Sequence, residues 1–191
     1  MATWLTADTH FNHTNICGPS MSNWKRGYRN FESLEQMNDT IIDNINMMVK
    51  PDDTLWHLGD FAFGDKQLIP ELRARINCRS IHLLIGNHDR RLLQLGFDNC
   101  FMSVHKHYEM RVHRTLVVFN HFPLAVWNEN GAGSVHFFGH CHGSYQPLGR
   151  CVDIGLDNQL MLPVELYSAI ETLLKQDIFA PDHHDSETNY G

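Results

Sequence analysis

The 191-residue sequence predicts an α/β protein built on a mixed β-sheet. Three observations point there. Through the first half, apolar runs of strand length alternate with helix-period patterns. The second half turns hairpin-like. Most of the apolar runs end abruptly in a short polar block of Asp, Asn, His and Gly. An apolar fraction of 42% and a charged fraction of 19% suit one globular domain, expected over residues 1–180, with a loose polar tail at 181–191.

Thr3-Trp4-Leu5-Thr6-Ala7 reads as a first buried strand that ends at Asp8. An irregular stretch, residues 12–31, follows. A helix then starts at Ser33 as N-cap, with Gln36 at the capping-box position and Leu34, Met37, Ile41, Ile45 and Met48 as its apolar stripe. Pro51 closes it. Residues 54–58 form a second strand that delivers Asp60. Residues 68–76 read as a helix with Pro70 in its first turn or kinking it. Residues 81–85 form a third strand that delivers Asn87 and His88, and a short helix is expected over 90–95. Residues 102–119 read as a hairpin turning near His113-Arg114. Val135-His136-Phe137-Phe138 leads to His140, and residues 151–154 form one more strand. Pro163 is expected to open an amphipathic helix running to Lys175.

Five polar blocks stand out: Asp8-Thr9-His10, Gly59-Asp60, Gly86-Asn87-His88-Asp89, Asn120-His121 and Gly139-His140-Cys141-His142. Carboxylate, amide oxygen and imidazole together are the ligand set of borderline divalent metals, and in open α/β folds ligands gather beyond the carboxyl ends of strands. Any one block alone reads as an ordinary turn or loop histidine; five at the same kind of strand exit do not. Fourteen histidines, five of them inside these blocks, carry the same signal. Oxygen and imidazole ligands suit Mn²⁺, with Fe, Zn²⁺ and Ni²⁺ as alternatives. Cys141 alternates away from its histidine neighbours and reads as a packed thiol. His13, His57 and His82 read as loop or core hydrogen-bonders, and Asp153 and Asp157 as turn formers about Gly155.

The order D-x-H, G-D, G-N-H-D, H, G-H-x-H resembles the calcineurin-like metallophosphoesterases, and the whole chain is similar to the small single-domain bacterial and phage members. The resemblance implies an αββα sandwich of two mixed sheets flanked by helices, and a hydrolase with two divalent metal ions. It gives Asp8, His10 and His142 to the first metal, Asn87, His121 and His140 to the second, and makes Asp60 the bridge. It leaves His88 outside the coordination sphere to protonate the leaving oxygen or stabilise the transition state, with Asp89 orienting its ring. It further implies in-line attack of a metal-bridging hydroxide on a phosphate ester.

A phosphodiesterase acting on a small, nucleotide-like diester is the expected activity. A phosphomonoesterase, including a protein phosphatase, and a catalytically inactive metal-stabilised binding protein are the alternatives; intact His88 and Asp89 speak against the last. Within residues 12–31, Lys25, Arg26 and Arg29 are expected to contact substrate, with Trp24 and Tyr28 available to stack on a base; a solvated surface loop is the alternative. A net charge of −7 argues against duplex nucleic acid as partner. Five cysteines without C-x-x-C pairing, no leader pattern at the first strand and no long apolar run lead to the expectation of a cytoplasmic, membrane-free protein; its oligomeric state is left open.

Overall fold

A computed structural model describes the chain except for residues 22–27, 65–66, 91–93, 95, 180 and 182–191. Two sheets form its centre. The first has strand order β4-β3-β2-β1-β9, built from β1 (Thr3–Thr6), β2 (Thr54–His57), β3 (Ser80–Leu84), β4 (Ser103–His105) and β9 (Val164–Glu165). Its four N-terminal strands run parallel, with Leu5 opposite Trp56 and Leu55 opposite Ile81, while β9 pairs antiparallel with β1. The second has order β5-β6-β7-β8, from β5 (His107–Val112), β6 (Thr115–Asn120), β7 (Val135–Phe138) and β8 (Cys151–Asp153). Here β5 and β6 are an antiparallel hairpin, and β6, β7 and β8 are parallel.

The sheets pack through Leu5, Ala7, Trp56, Leu58 and Leu84 of the first against Val117, Phe119, Val135 and Phe137 of the second. On the outer face of the first sheet lie α2 (Leu34–Met48) and α3 (Leu68–Arg75), burying Met37, Ile41, Ile45, Ile69 and Leu72 against Leu55, Ile81 and Leu83. The helix α2 begins as its sequence demands: the Ser33 side chain accepts from Gln36 N at 3.0 Å, and Gln36 Oε1 accepts from Glu32 N at 2.7 Å. A four-residue helix, α1 (Gly18–Met21), interrupts the stretch after the first strand. The outer face of the second sheet is capped by Trp127 and Leu124 against Leu116, Val118 and Phe138. Two mixed sheets with flanking helices make this the α/β sandwich that the resemblance implies.

Two expectations need correction. Residues 102–119 are not one hairpin. Ser103–His105 extends the first sheet beside β3, and only after Lys106 does the chain enter the second sheet. The C-terminal helix also starts later than Pro163. Val164–Glu165 first pairs with β1; Glu165 then caps α4 (Leu166–Leu173), accepting from Ser168 N at 2.8 Å. The helix expected over 90–95 and the 181–191 tail fall largely outside the described residues. Among the described residues no helix is long and apolar enough to cross a membrane.

Candidate metal centre

Parallel strands of both sheets end on the same side, and the five polar blocks meet there. Asp8 and His10 follow β1, Asp60 follows β2, Asn87 and His88 follow β3, His121 follows β6, and His140 and His142 follow β7. The turns are tight. Asp8, His10, Asp60, His140 and His142 all sit at positive φ, between 48° and 70°. Non-glycine residues hold that conformation at a cost of order 1 kcal/mol or more each, and it persists where surroundings and function demand it. Gly86 and Gly139 answer a different need, that of close approach. A Cβ on Gly86 would lie 2.1 Å from Asp60 Oδ1, and one on Gly139 would lie 2.7 Å from Asp8 Oδ2.

The ligand-type atoms fall into two groups, each drawn together within 4.8 Å: Asp8, His10 and His142 in one, Asp60, His121 and His140 in the other. Asp60 Oδ2 reaches both, lying 3.6 Å from His10 Nε2 and 3.5 Å from His121 Nε2. Asn87 Oδ1 stands 3.1 Å from His121 Nε2, on the second group. The other nitrogen of His121, Nδ1, is 2.8 Å from the Leu58 carbonyl and donates to it, which turns the Nε2 lone pair into the site.

The first group fits a cation on an independent observation. Asp8 Oδ1 and His10 Nε2 are buried without a hydrogen-bond partner among the described residues, and they face each other at 3.9 Å. Such orphaned atoms are costly unless something satisfies them, and a divalent cation satisfies both at once. The local field agrees. Burial raises the Asp8 carboxyl to about 7, and burial with the neighbouring His142 and Arg29 pushes His10 well below its ordinary range, which keeps that ring neutral with a lone pair to offer. At His121 burial acts to lower the basicity, but the Asp60 and Asp8 carboxylates outweigh it and raise it.

His88 stands beside these groups. Its side chain is 40% exposed and its Nε2 is 3.9 Å from Asp60 Oδ2; its backbone N–H donates to Asp60 Oδ1 at 2.9 Å. Asp89 does not touch the His88 ring as expected. It is fully buried, and its two oxygens accept from the backbone N–H groups of Gly86 (2.8 Å), Asp60 (2.8 Å) and Phe61 (2.9 Å). In this chain the residue fastens the β2 and β3 loops to each other, and the His88 ring is set instead by Phe63, with centroids 4.9 Å apart.

Arg29 also departs from expectation. It is buried, and four of its guanidinium N–H groups are engaged: Nε and Nη2 donate to Asp157 at 2.9 and 2.8 Å, Nη1 to Thr9 O at 2.7 Å, and Nη2 also to Asp8 O. It holds the loop beneath the first ligand group through these bonds. Lys25 and Arg26 lie outside the described residues. Asp157, read as a turn former, lies 2.7 Å from His142 Nδ1, leaving Nε2 of that ring for the site. Burial alone would raise the Asp157 carboxyl, yet bonds from Arg29 and His142 hold it well below the usual carboxylate range. His13 lines the site as well, stacked on Phe63 at 3.8 Å and 3.3 Å from His10 through the two Nδ1 atoms. The others behave as read. His57 bonds Thr9, His82 bonds Ser103, and Cys141 packs as a thiol whose burial raises it to about 11.

Two groups of ligand-type side chains, four of them buried and His142 and His140 toward the open side, lie at the strand ends of a two-sheet sandwich with the Asp60 carboxylate between them, an arrangement that could hold a pair of divalent cations. Known proteins place it further. The family model described as calcineurin-like phosphoesterase matches residues 1–190, and the chain belongs to that family. An uncharacterized protein of Methanocaldococcus jannaschii is 36% identical over 89 residues, a match spanning 46% of either chain and so less than half of that relative. Among solved structures, a protein of unknown function from Aquifex aeolicus is similar over 90% of this chain and 98% of its own, with TM-score 0.65 and 21% identity; it shares the fold. A phosphoesterase from E. coli covers 81% of this chain and 78% of its own with TM-score 0.43 and 14% identity.

Proposed function

We propose that the protein hydrolyses phosphodiesters, of a nucleotide-like or other small kind, with manganese as its working metal and a cytoplasmic setting. The observation that carries the diester reading is the shape of the cleft. A cavity of about 440 Å³ lies over His10, His13, Asp60, Asn87, His88 and His140. A second, of about 490 Å³, adjoins it at Asn87. A monoester needs room for one alcohol; two adjoining cavities meeting at a ligand residue give a diester room for both.

Asp8, His10, His142 and Asp60 would hold one cation, and Asp60, Asn87, His121 and His140 the other. Bound there, the pair supplies Lewis acidity and neutralises charge on the phosphoryl oxygens. His88 lies outside both groups and is exposed enough to meet a leaving oxygen, so the proton comes from it; an imidazole spent on a metal cannot donate one. Asp89 keeps the backbone of the β2 and β3 loops in register, so that the His88 amide and the Asp60 carboxylate stay joined. Oxygen and imidazole ligands without thiolate support manganese. Free cysteines support a reducing compartment.

The test is turnover of bis-p-nitrophenyl phosphate against p-nitrophenyl phosphate, across a series of Mn²⁺, Fe²⁺, Zn²⁺ and Ni²⁺. Higher kcat/KM on the diester, greatest with Mn²⁺, is expected. Preference for the monoester with every metal overturns the diester reading.

A further inference from the structure

The cavity beyond Asn87 carries chemistry that the metal groups do not use. Besides Asn87 it is lined by Arg90, Lys106, Asn120 and Phe122. The topology brings these together from three places. Arg90 follows the Asp89 loop, Lys106 is the single residue between β4 and β5 where the chain passes from one sheet to the other, and Asn120 and Phe122 flank His121 at the end of β6.

Both cations are exposed, and among the described residues neither makes an ion pair. Other exposed arginines do: Arg75 pairs with Asp39 and Arg111 with Glu129. In a chain of net charge −7, two positive side chains on one cavity wall, without an ion pair among the described residues, leave a local field open to an anion. Phe122, 42% exposed, faces the same space with its ring centroid 4.6 Å from that of His140. The Asn120 Oδ1 accepts from Phe122 N at 3.0 Å and so fixes the Phe122 turn.

We propose that this cavity is a subsite for a second negatively charged group on the substrate, carried by the alcohol that stays on phosphorus while the leaving alcohol faces His88. The ligand class is a phosphate ester whose retained substituent bears a carboxylate or phosphate and lays an apolar or aromatic stretch on Phe122. Arg90 and Lys106 bind the anion through charge-assisted hydrogen bonds; Phe122 sets the path of the tether. The inference rests on the diester reading, and its test separates the two.

Calorimetry on the manganese-loaded protein compares ω-carboxyalkylphosphonates of two to five methylenes with alkylphosphonates of matched length. At one length or more the carboxylate should bind about tenfold tighter, the scale of one charge-assisted hydrogen bond. Arg90→Gln and Lys106→Gln should each remove most of that ratio while melting temperature and metal content are retained. Equal affinities at every length, no binding by any phosphonate, or a ratio that survives in both variants overturns the subsite. Turnover on p-nitrophenyl esters is read separately: a monoester preference removes the diester reading, and the calorimetric ratio still decides the subsite.

Discussion

Asp157 Oδ2 lies 2.7 Å from Nδ1 of His142, a ligand-type histidine, and the same carboxylate is gripped from behind by Arg29. A carboxylate on the far nitrogen fixes a histidine's tautomer and ring angle and raises its basicity toward a metal. The Arg29–Asp157–His142 chain thus makes a partly buried ion pair the support of the first ligand group.

Asp157→Asn keeps the shape and removes the charge. Affinity for the first metal should fall about 10- to 100-fold, read by metal competition on a protein whose circular dichroism is unchanged. Unaltered affinity would show that Asp157 only closes a turn.

Asp60→Asn should strike both metals. Its Oδ2 is the atom within reach of both histidine groups, and a neutral amide cannot serve two cations as a carboxylate does. Elemental analysis should find the variant depleted in both ions and activity lost. Two ions retained per chain would remove Asp60 from the bridging role.

His88→Ala should leave metal content intact and slow turnover by roughly 10²–10⁴-fold, the scale of a lost general acid. The loss should be greatest on esters with poor leaving groups and small on p-nitrophenolate, which departs unaided. Wild-type turnover of an alkyl ester, or a missing metal, would each refute the assignment.

His136 predicts a pH effect on stability. It is buried in β7, its Nδ1 donating to Val118 O at 3.1 Å and its Nε2 accepting from Leu124 N at 3.2 Å, and burial lowers it from 6.5 to about 4. The folded ring stays neutral where the unfolded ring gains a proton. Stability is therefore present above pH about 6.5 and falls as pH drops toward 4, by up to about 3 kcal/mol from this residue. In chelator-treated protein, urea midpoints between pH 7 and 4.5 should fall less in His136→Gln than in the wild type. Equal slopes would assign the acid sensitivity elsewhere.

What the sequence made legible was local. A strand followed at once by Gly-Asp or Gly-Asn-His is readable because ligand and strand are neighbours in the chain, and the helix at 34–48 is readable because Ser33 and Gln36 announce it. What it hid was long-range. Arg29 and Asp157 are 128 residues apart, and nothing in either segment names the other. Arg29 was grouped with Lys25 and Arg26 as a substrate contact because all three are cations in one short stretch. The split of residues 102–119 was hidden because a strand pattern does not say which sheet it joins, and β9 is only two residues long. Asp89 was assigned by its nearness to His88, but a side chain in so tight a turn is free to point backward, and it does.

Each ligand group takes members from both halves of the sandwich. Asp8 and His10 hang from the first sheet and His142 from the second; Asp60 and Asn87 hang from the first, His121 and His140 from the second. The cations would therefore act as rivets across the seam, and the thickness of the apolar filling between the sheets sets the span they bridge. Leu84 and Phe119, core residues between the sheets, become gauge blocks for the chemistry. Trimming either one alters how far apart the jaws of the site stand, so the enzyme's rate reports on the depth of its own interior.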